Sequence, residues 1–242
     1  MSRRALLAVL AATLLVLAGC QSTASEPPEV TPVPVPTTTE TGGEGIPTAH
    51  REALDGTTYT TRVTYRLEYA DGTTARLTEQ FIPGTGERYL YERRRVGSYP
   101  GSPTNVTIWQ NGATGFVRRA GTNETDVIRS STGTVLQDTT LSGLLRRLLS
   151  GFNLTPSHVG DTRTLTDSRT VIRTVPLPPG VHDARNATVE VLIRDDVVRS
   201  VRIDCVADRG PADEPVRVGI RFETDGIGDP EPTPPEWTRR SR

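Results

Sequence analysis

The chain predicts an α+β fold that is mostly β: a large antiparallel sheet whose apolar face is covered by one or two helices. Three observations carry this. Apolar and polar residues alternate with period two along several stretches, as half-buried strands require. One segment between them switches to apolar spacings of three and four, as an amphipathic helix requires. Asp71-Gly72, Asn111-Gly112 and Asp195-Asp196 separate alternating runs by gaps short enough for neighbouring antiparallel strands.

The first segment is an address rather than a fold element. Arg3 and Arg4 precede an apolar run from Ala5 to Leu17, about 13 residues, too short for the ~20 that cross a bilayer. Leu17, Ala18, Gly19 and Cys20 have the form of a lipobox. A peptidase cuts there before a cysteine whose thiol carries a lipid, so residues 1–19 read as a lipoprotein signal peptide. Ser2-Arg3-Arg4-Ala5-Leu6-Leu7 has the pattern of a twin-arginine export signal, while two arginines also serve as an ordinary basic start.

Residues 20–47 read as the lipidated cysteine and a disordered linker. Gln21 to Pro47 holds six prolines and many threonines, with too few large aliphatics to offset the entropy of ordering. Extended as polyproline II, such a stretch reaches about 80 Å.

The folded domain is expected over residues 48–228. Thr48 is placed to cap a short helix through Leu54. Tyr59, Thr61, Val63, Tyr65, Leu67 and Tyr69 then share one strand face. Asp71-Gly72 turns the chain into a strand carrying Ala75, Leu77 and Phe81, and Pro83-Gly84 with Gly86 turns it into Arg88–Arg94. Val106–Trp109 and Gly115–Arg119 flank the Asn111-Gly112 turn, and Val127–Ser130 adds an edge.

Leu141, Leu144, Leu145, Leu148, Leu149 and Phe152 form the apolar stripe of a helix of about three turns, capped near Asp138 or Thr139 and ended by Gly151. With one wet face, this helix must lie against the sheet. Strands resume at Gly160–Thr166 and Arg169–Val175. The clearest alternation comes last, over Ala187–Ile193, Val201–Cys205 and Val216–Phe222, with arginines interleaved, so one sheet face reads as apolar and the other as charged. Residues 229–242 read as a proline-rich tail.

Totals narrow the chemistry. Formal charge is −1, which gives no field to gather nucleic acid. All 28 basic residues are arginine, which excludes a phosphate-loop lysine and Schiff-base chemistry. With Cys20 lipidated, Cys205 has no partner and reads as a small buried apolar residue. His50, His158 and His182 lack metal-ligand spacing and read as surface or loop residues. Asp195-Asp196 reads as a turn. Arg93-Arg94-Arg95, with Arg118 and Arg119, reads as a solvated sheet face that can also meet anionic headgroups. No catalytic motif is present, and neither an enzyme nor a cofactor is expected. Four of the five asparagines, Asn105, Asn123, Asn153 and Asn186, begin Asn-x-Thr sequons and are candidate glycosylation sites.

The order of elements resembles the LolA, RseB and LppX group of extracytoplasmic lipoprotein and lipid carriers. More narrowly, it resembles a family of haloarchaeal lipoproteins of unknown function. The matching pieces are the lipobox, the His50-containing first helix running into Tyr59, the Leu141–Phe152 helix, the Val197-Val198-Arg199-Ser200 strand start, and Gly226-Ile227-Gly228 followed by Pro235-Glu236-Trp237. Arginine in place of lysine, with abundant threonine and aspartate, is the compositional habit of halophilic archaea. The resemblance implies a curved half-barrel with helices on its concave face, and a final strand near Pro232, which proline breaks here.

Two functions are expected from this. One is a lipid-anchored extracytoplasmic protein, held to the membrane by Cys20, that binds an apolar small molecule or lipid between sheet and helix. Tyr65, Leu67, Phe81, Leu144, Leu148, Val191 and Phe222 are the candidate lining. The other is a non-catalytic surface interaction module in which the same residues are filled core.

Overall fold

The computed structural model describes residues 43, 45–101, 104–121, 125–130, 140–209 and 214–239. Leu17, Ala18, Gly19, Cys20, the linker before residue 43 and Asn123 lie outside the described residues.

Each alternating run becomes a strand. They are β1 (Thr60–Glu68), β2 (Thr74–Pro83), β3 (Tyr89–Val96), β4 (Asn105–Asn111), β5 (Thr114–Ala120), β6 (Thr125–Ser130), β7 (Thr155–Val159), β8 (Thr162–Val171), β9 (His182–Arg194), β10 (Val197–Asp208) and β11 (Val216–Asp225). They pair antiparallel in one open, curved sheet, in the order β6-β5-β4-β3-β2-β1-β11-β10-β9-β8-β7. Two meanders, β1 to β6 and β7 to β11, therefore meet at the β1–β11 seam, where Thr60 faces Asp225 and Glu68 faces Arg217. This is the α+β half-barrel.

Helices α1 (Ile46–Ala53) and α2 (Ser142–Leu149) pack on the concave face. α1 begins earlier than expected: Gly45 occupies the cap position and Pro47 sits in the first turn, where a missing N–H costs nothing, so Thr48 is helical rather than capping. α2 is shorter than its stripe. Leu141 takes a left-handed φ of 53° and cannot continue a right-handed helix, so α2 spans two turns rather than three. The expected caps Asp138 and Thr139 lie outside the described residues. Gly151 leads the chain out at φ 91°, where a Cβ would stand 2.5 Å from Thr174 Oγ1. Phe152 stays buried beyond the helix end.

β7 and β8 replace the strands expected at 160–166 and 169–175. Gly160 and Asp161 are the turn between them, and Asp167 and Ser168 continue the pairing with Val189 and Thr188. Pro156 cannot donate to a ladder, which restricts it to a sheet edge, and β7 is that edge. The Asp195-Asp196 turn is as expected: both residues have left-handed φ, 53° and 58°, which a two-residue hairpin requires.

The core lies between the helices and the inner face of β1 and β8 to β11. Val63, Leu67, Leu145, Leu148, Val191, Ile203 and Phe222 are all sealed from solvent in one cluster. Burying each such side chain contributes about 1.5–3 kcal/mol relative to exposing it. On the outer face, arginines pair with acids two residues along the same strand: Arg66 with Glu68, Arg94 with Glu92, Arg202 with Asp204 and Arg221 with Glu223. Exposed pairs of this kind add little stability and keep the face wet.

After β11 the chain makes no further strand among the described residues. Gly228 N–H donates to Thr58 O at 2.9 Å, and the Thr58 hydroxyl donates to Asp229 O. Glu231 accepts from Arg88 Nη1 at 2.8 Å and from the Thr85 backbone N–H at 3.3 Å, clasping the β2–β3 turn. The Glu231 carboxyl is held below its ordinary pKa, most by a hydrogen bond from the Thr85 side chain and then by the Thr85 N–H and Arg88. A short 3-10 turn, Glu236–Arg239, ends the described chain with Thr238 buried.

Candidate functional site

Directly paired residues of antiparallel strands share a face, so the concave face can be read as rows of side chains crossing the sheet. One row passes from Leu165 on β8 through Val191, Val201 and Phe222 to Val63 on β1. It then continues as Glu79, Arg93, Val106, Arg119 and Asp126 on β2 to β6. The row is apolar and sealed as far as β1 and becomes charged at β2. The row beside it runs Thr61, Phe81, Tyr91, Ile108, Val117 and Ile128, predominantly apolar beyond β1. Tyr91, Ile108 and Val117 are half-buried, and Ile128 is 45% exposed.

This corrects the expectation of one apolar and one charged face. The division holds for β1 and β9 to β11 and fails for β2 to β6, and on β8 Arg163, Asp167 and Arg169 share the inner side with Leu165. There Glu79, Arg93, Arg95 and Arg119 face inward, while Ile82, Leu90, Trp109 and Phe116 share the outer face. Trp109 and Phe116 are buried, and Arg129 stacks 6.0 Å from the Phe116 ring centre. The arginine run is split by strand alternation: Arg93 and Arg95 point inward, Arg94 outward.

Around the inward charges stands a group of tyrosines. Tyr91 donates its hydroxyl proton to Glu79 Oε1 at 2.6 Å. Burial, and then the Glu79 charge, push the Tyr91 hydroxyl far above its ordinary pKa. The same two causes, in the same order, push Tyr65 up to about 12. Burial raises Tyr99 as well. Arg95 lies 5.5 Å from the Tyr99 ring centre and donates to Gly101 O at 3.0 Å, which fixes its guanidinium at the end of β3. All three tyrosines are neutral hydroxyls at physiological pH. The concave face of β2 to β5 thus sets a predominantly apolar strip, with the Tyr91 hydroxyl on it, beside a row that carries Glu79, Arg93 and Arg119.

The candidate lining residues fall in two places. Leu67, Leu148, Val191 and Phe222 are fully buried in the cluster under α2, Tyr65 joins them, and Leu144 packs half-buried against it. Phe81 stands apart, buried against Tyr89 with ring centres 5.4 Å apart. A cleft of about 450 Å³ opens near it, bounded by Arg51, Leu54, Tyr59, Pro83, Thr85 and Thr140.

His50 is not a surface residue. It is fully buried, accepts the Val198 N–H at 3.2 Å through Nδ1, and meets the Phe222 ring edge-on at 5.8 Å. It ties α1 to the bulged start of β10. Its partner lies 148 residues away in the sequence, so nothing local marked it.

Cys205 is buried as expected, opposite Val218 on the inner face. Burial, with Asp204 adding to it, pushes its thiol from about 9 up to about 11. An alkaline instability follows. The unfolded chain releases the Cys205 and Tyr65 protons near their ordinary values, while the folded protein keeps them until about 11 and about 12. Above pH 9 the unfolded state binds fewer protons, so folding stability falls as pH rises. Urea unfolding from pH 7 to 12 is expected to show a decline beginning near pH 9 in the native chain and near pH 10 in Cys205→Ala. Identical profiles for the two proteins would remove the thiol from the account.

Asn105, Asn153 and Asn186 are all exposed. Asn105 Oδ1 accepts the Arg95 N–H at 2.8 Å, leaving its Nδ2, the atom that carries sugar, outside that bond. Among the described residues no helix is long and apolar enough to cross a membrane, and no group of His, Cys, Asp and Glu is placed to hold a metal ion.

The class defined by this geometry is an open β half-barrel with two inward helices. No protein-family model matches the chain, and no curated protein matches it significantly. Solved structures do align with it. One is a LolA superfamily protein from Nitrosomonas europaea, with 11% identity over 81% of this chain and 96% of that one, at a TM-score of 0.25. Another is a protein from M. tuberculosis, with 12% identity over 71% and 95%, at 0.24. A third is a DUF1329 family protein from Desulfovibrio piger, with 8% identity over 76% and 90%, at 0.27. At such TM-scores the likenesses carry no weight of their own, and the half-barrel stands on its strand order.

Proposed function

We propose that this protein is an extracytoplasmic lipoprotein, anchored by a lipid on Cys20, whose half-barrel binds an apolar or amphiphilic molecule on the concave face of β2 to β5. One observation carries the binding reading. The apolar filling under α2 is sealed across β1 and β9 to β11, whereas the strip from Phe81 through Tyr91, Ile108 and Val117 is only half-buried at Tyr91, Ile108 and Val117. A ligand therefore belongs beside α2 rather than beneath it. Of the residues expected to line a site, Phe81 lies on that strip. Anchoring is supported by the lipobox and by the linker, and sugar at Asn105, Asn123, Asn153 and Asn186 fits an outward-facing domain.

The test is organic extraction of protein purified without denaturation, followed by mass spectrometry. An apolar or amphiphilic species recovered in near-stoichiometric amount, and lost in Ile108→Glu, is the expected result. Recovery of nothing from the native chain would leave the interaction module, which the ion-paired outer face and the sealed core under α2 otherwise favour.

A further inference from the structure

Four outer-face arginines of this sheet share one arrangement, and Arg93 on the inner face lacks it. Arg66, Arg94, Arg202 and Arg221 on the outer face each have an acid two residues away on the same strand and within ion-pair distance. Arg93 is on the inner face. Its Nε is enclosed without a hydrogen-bond partner, and it makes no ion pair among the described residues. Glu79, directly opposite, already accepts the Tyr91 hydroxyl. An enclosed guanidinium nitrogen left without a partner is costly unless something else supplies an acceptor. Next to it lies the apolar strip, one pleat repeat or about 7 Å along the strands.

We propose that the molecule held on the concave face is a lipid with an anionic phosphate head, its chain on the Phe81–Tyr91–Ile108–Val117 strip and its head on Arg93. The inference rests on the binding face assigned above. A guanidinium offers two parallel N–H donors that match two oxygens of a phosphate, and Arg93, half-buried and outside any ion pair among the described residues, is placed to meet such a head. Arg95, held over Tyr99, adds positive charge one pleat repeat away on the same side, and Arg119 lies on the Arg93 row.

The probes are a long-chain alkyl phosphate, the neutral alkyl alcohol of equal length, and inorganic phosphate, titrated into the full chain. The native protein is expected to bind the alkyl phosphate at least about tenfold more tightly than the alcohol, the scale of one charge-assisted contact. Arg93→Gln is expected to bind the two equally, Arg93→Lys to keep part of the preference, and Arg94→Gln on the outer face to match the native protein. Circular dichroism melting confirms that each variant is folded; should Arg93→Gln not fold, the Arg93→Lys loss decides. Equal binding of phosphate and alcohol by the native chain would overturn the anionic head while leaving the apolar site standing. Binding of neither would overturn the site itself. Inorganic phosphate binding as tightly as the alkyl phosphate would overturn the lipid and leave a free oxyanion.

Discussion

Cys20→Ser is expected to move the protein from the membrane pellet to the soluble fraction. The proposed anchor is a lipid on one thiol, and serine offers no sulfur to alkylate. A single acyl chain holds a protein at a bilayer only marginally, and two chains hold it stably, so losing the whole adduct leaves nothing comparable. No helix among the described residues compensates by crossing the bilayer. The membrane-bound fraction of the full-length chain, read by ultracentrifugation, should fall by well over about tenfold. Intact mass should show the native protein beginning at Cys20 with an adduct on it. A native chain that retains residues 1–19, or that carries no adduct on Cys20, would end the lipoprotein reading.

Phe222→Ala is expected to be the most damaging single change in the folded domain. Phe222 is paired with Val63 on one side and Val201 on the other, fully buried, with the His50 ring against its edge. Truncating a buried phenylalanine removes its transfer energy and leaves a cavity, at a cost of about 3–5 kcal/mol. Against a typical total of about 5–15 kcal/mol, that is a large share. The site also joins α1 to the seam between the two meanders, so the cavity cannot close without moving one of them. Val159→Ala, on an edge strand and 78% exposed, is the control and should change stability by less than about 0.5 kcal/mol. Urea denaturation decides: a loss below about 1 kcal/mol for Phe222→Ala would show that the core relaxes around the gap.

Much of the fold was legible because period two is unambiguous when one face is buried and the other wet. Tyr59 to Leu67, Ala187 to Ile193 and Val216 to Phe222 meet that condition, and their faces were read correctly. β3 does not meet it. Leu90, Glu92 and Arg94 on one face look much like Tyr91, Arg93 and Arg95 on the other, and only the Pro83–Tyr89 pairing decides which set is inside. The inward charges were hidden for that reason, although the register of the β2–β3 hairpin would have revealed them. β7 was missed because Pro156 and a run of exposed polar residues carry no burial signal at an edge. α2 ran long in the sequence because Leu141 and Phe152 are apolar for packing beyond the helix ends, and His50 stayed hidden because its partner, the Val198 N–H, is 148 residues away.

The placement of β1 against β11 has a consequence for how the chain matures. The two central strands of the sheet come from opposite ends of the domain, so the contacts that hold the seam are among the least local in the molecule. Closing so long a loop is slow, since its entropy is lost before the pairing is gained. Until Val216–Asp225 has been synthesised, β1 and β10 each present an unpaired border beside the most apolar residues of the protein. A nascent chain halted short of that final strand is therefore a sticky intermediate, and biogenesis favours a route that shields it until the last ten residues of sheet arrive.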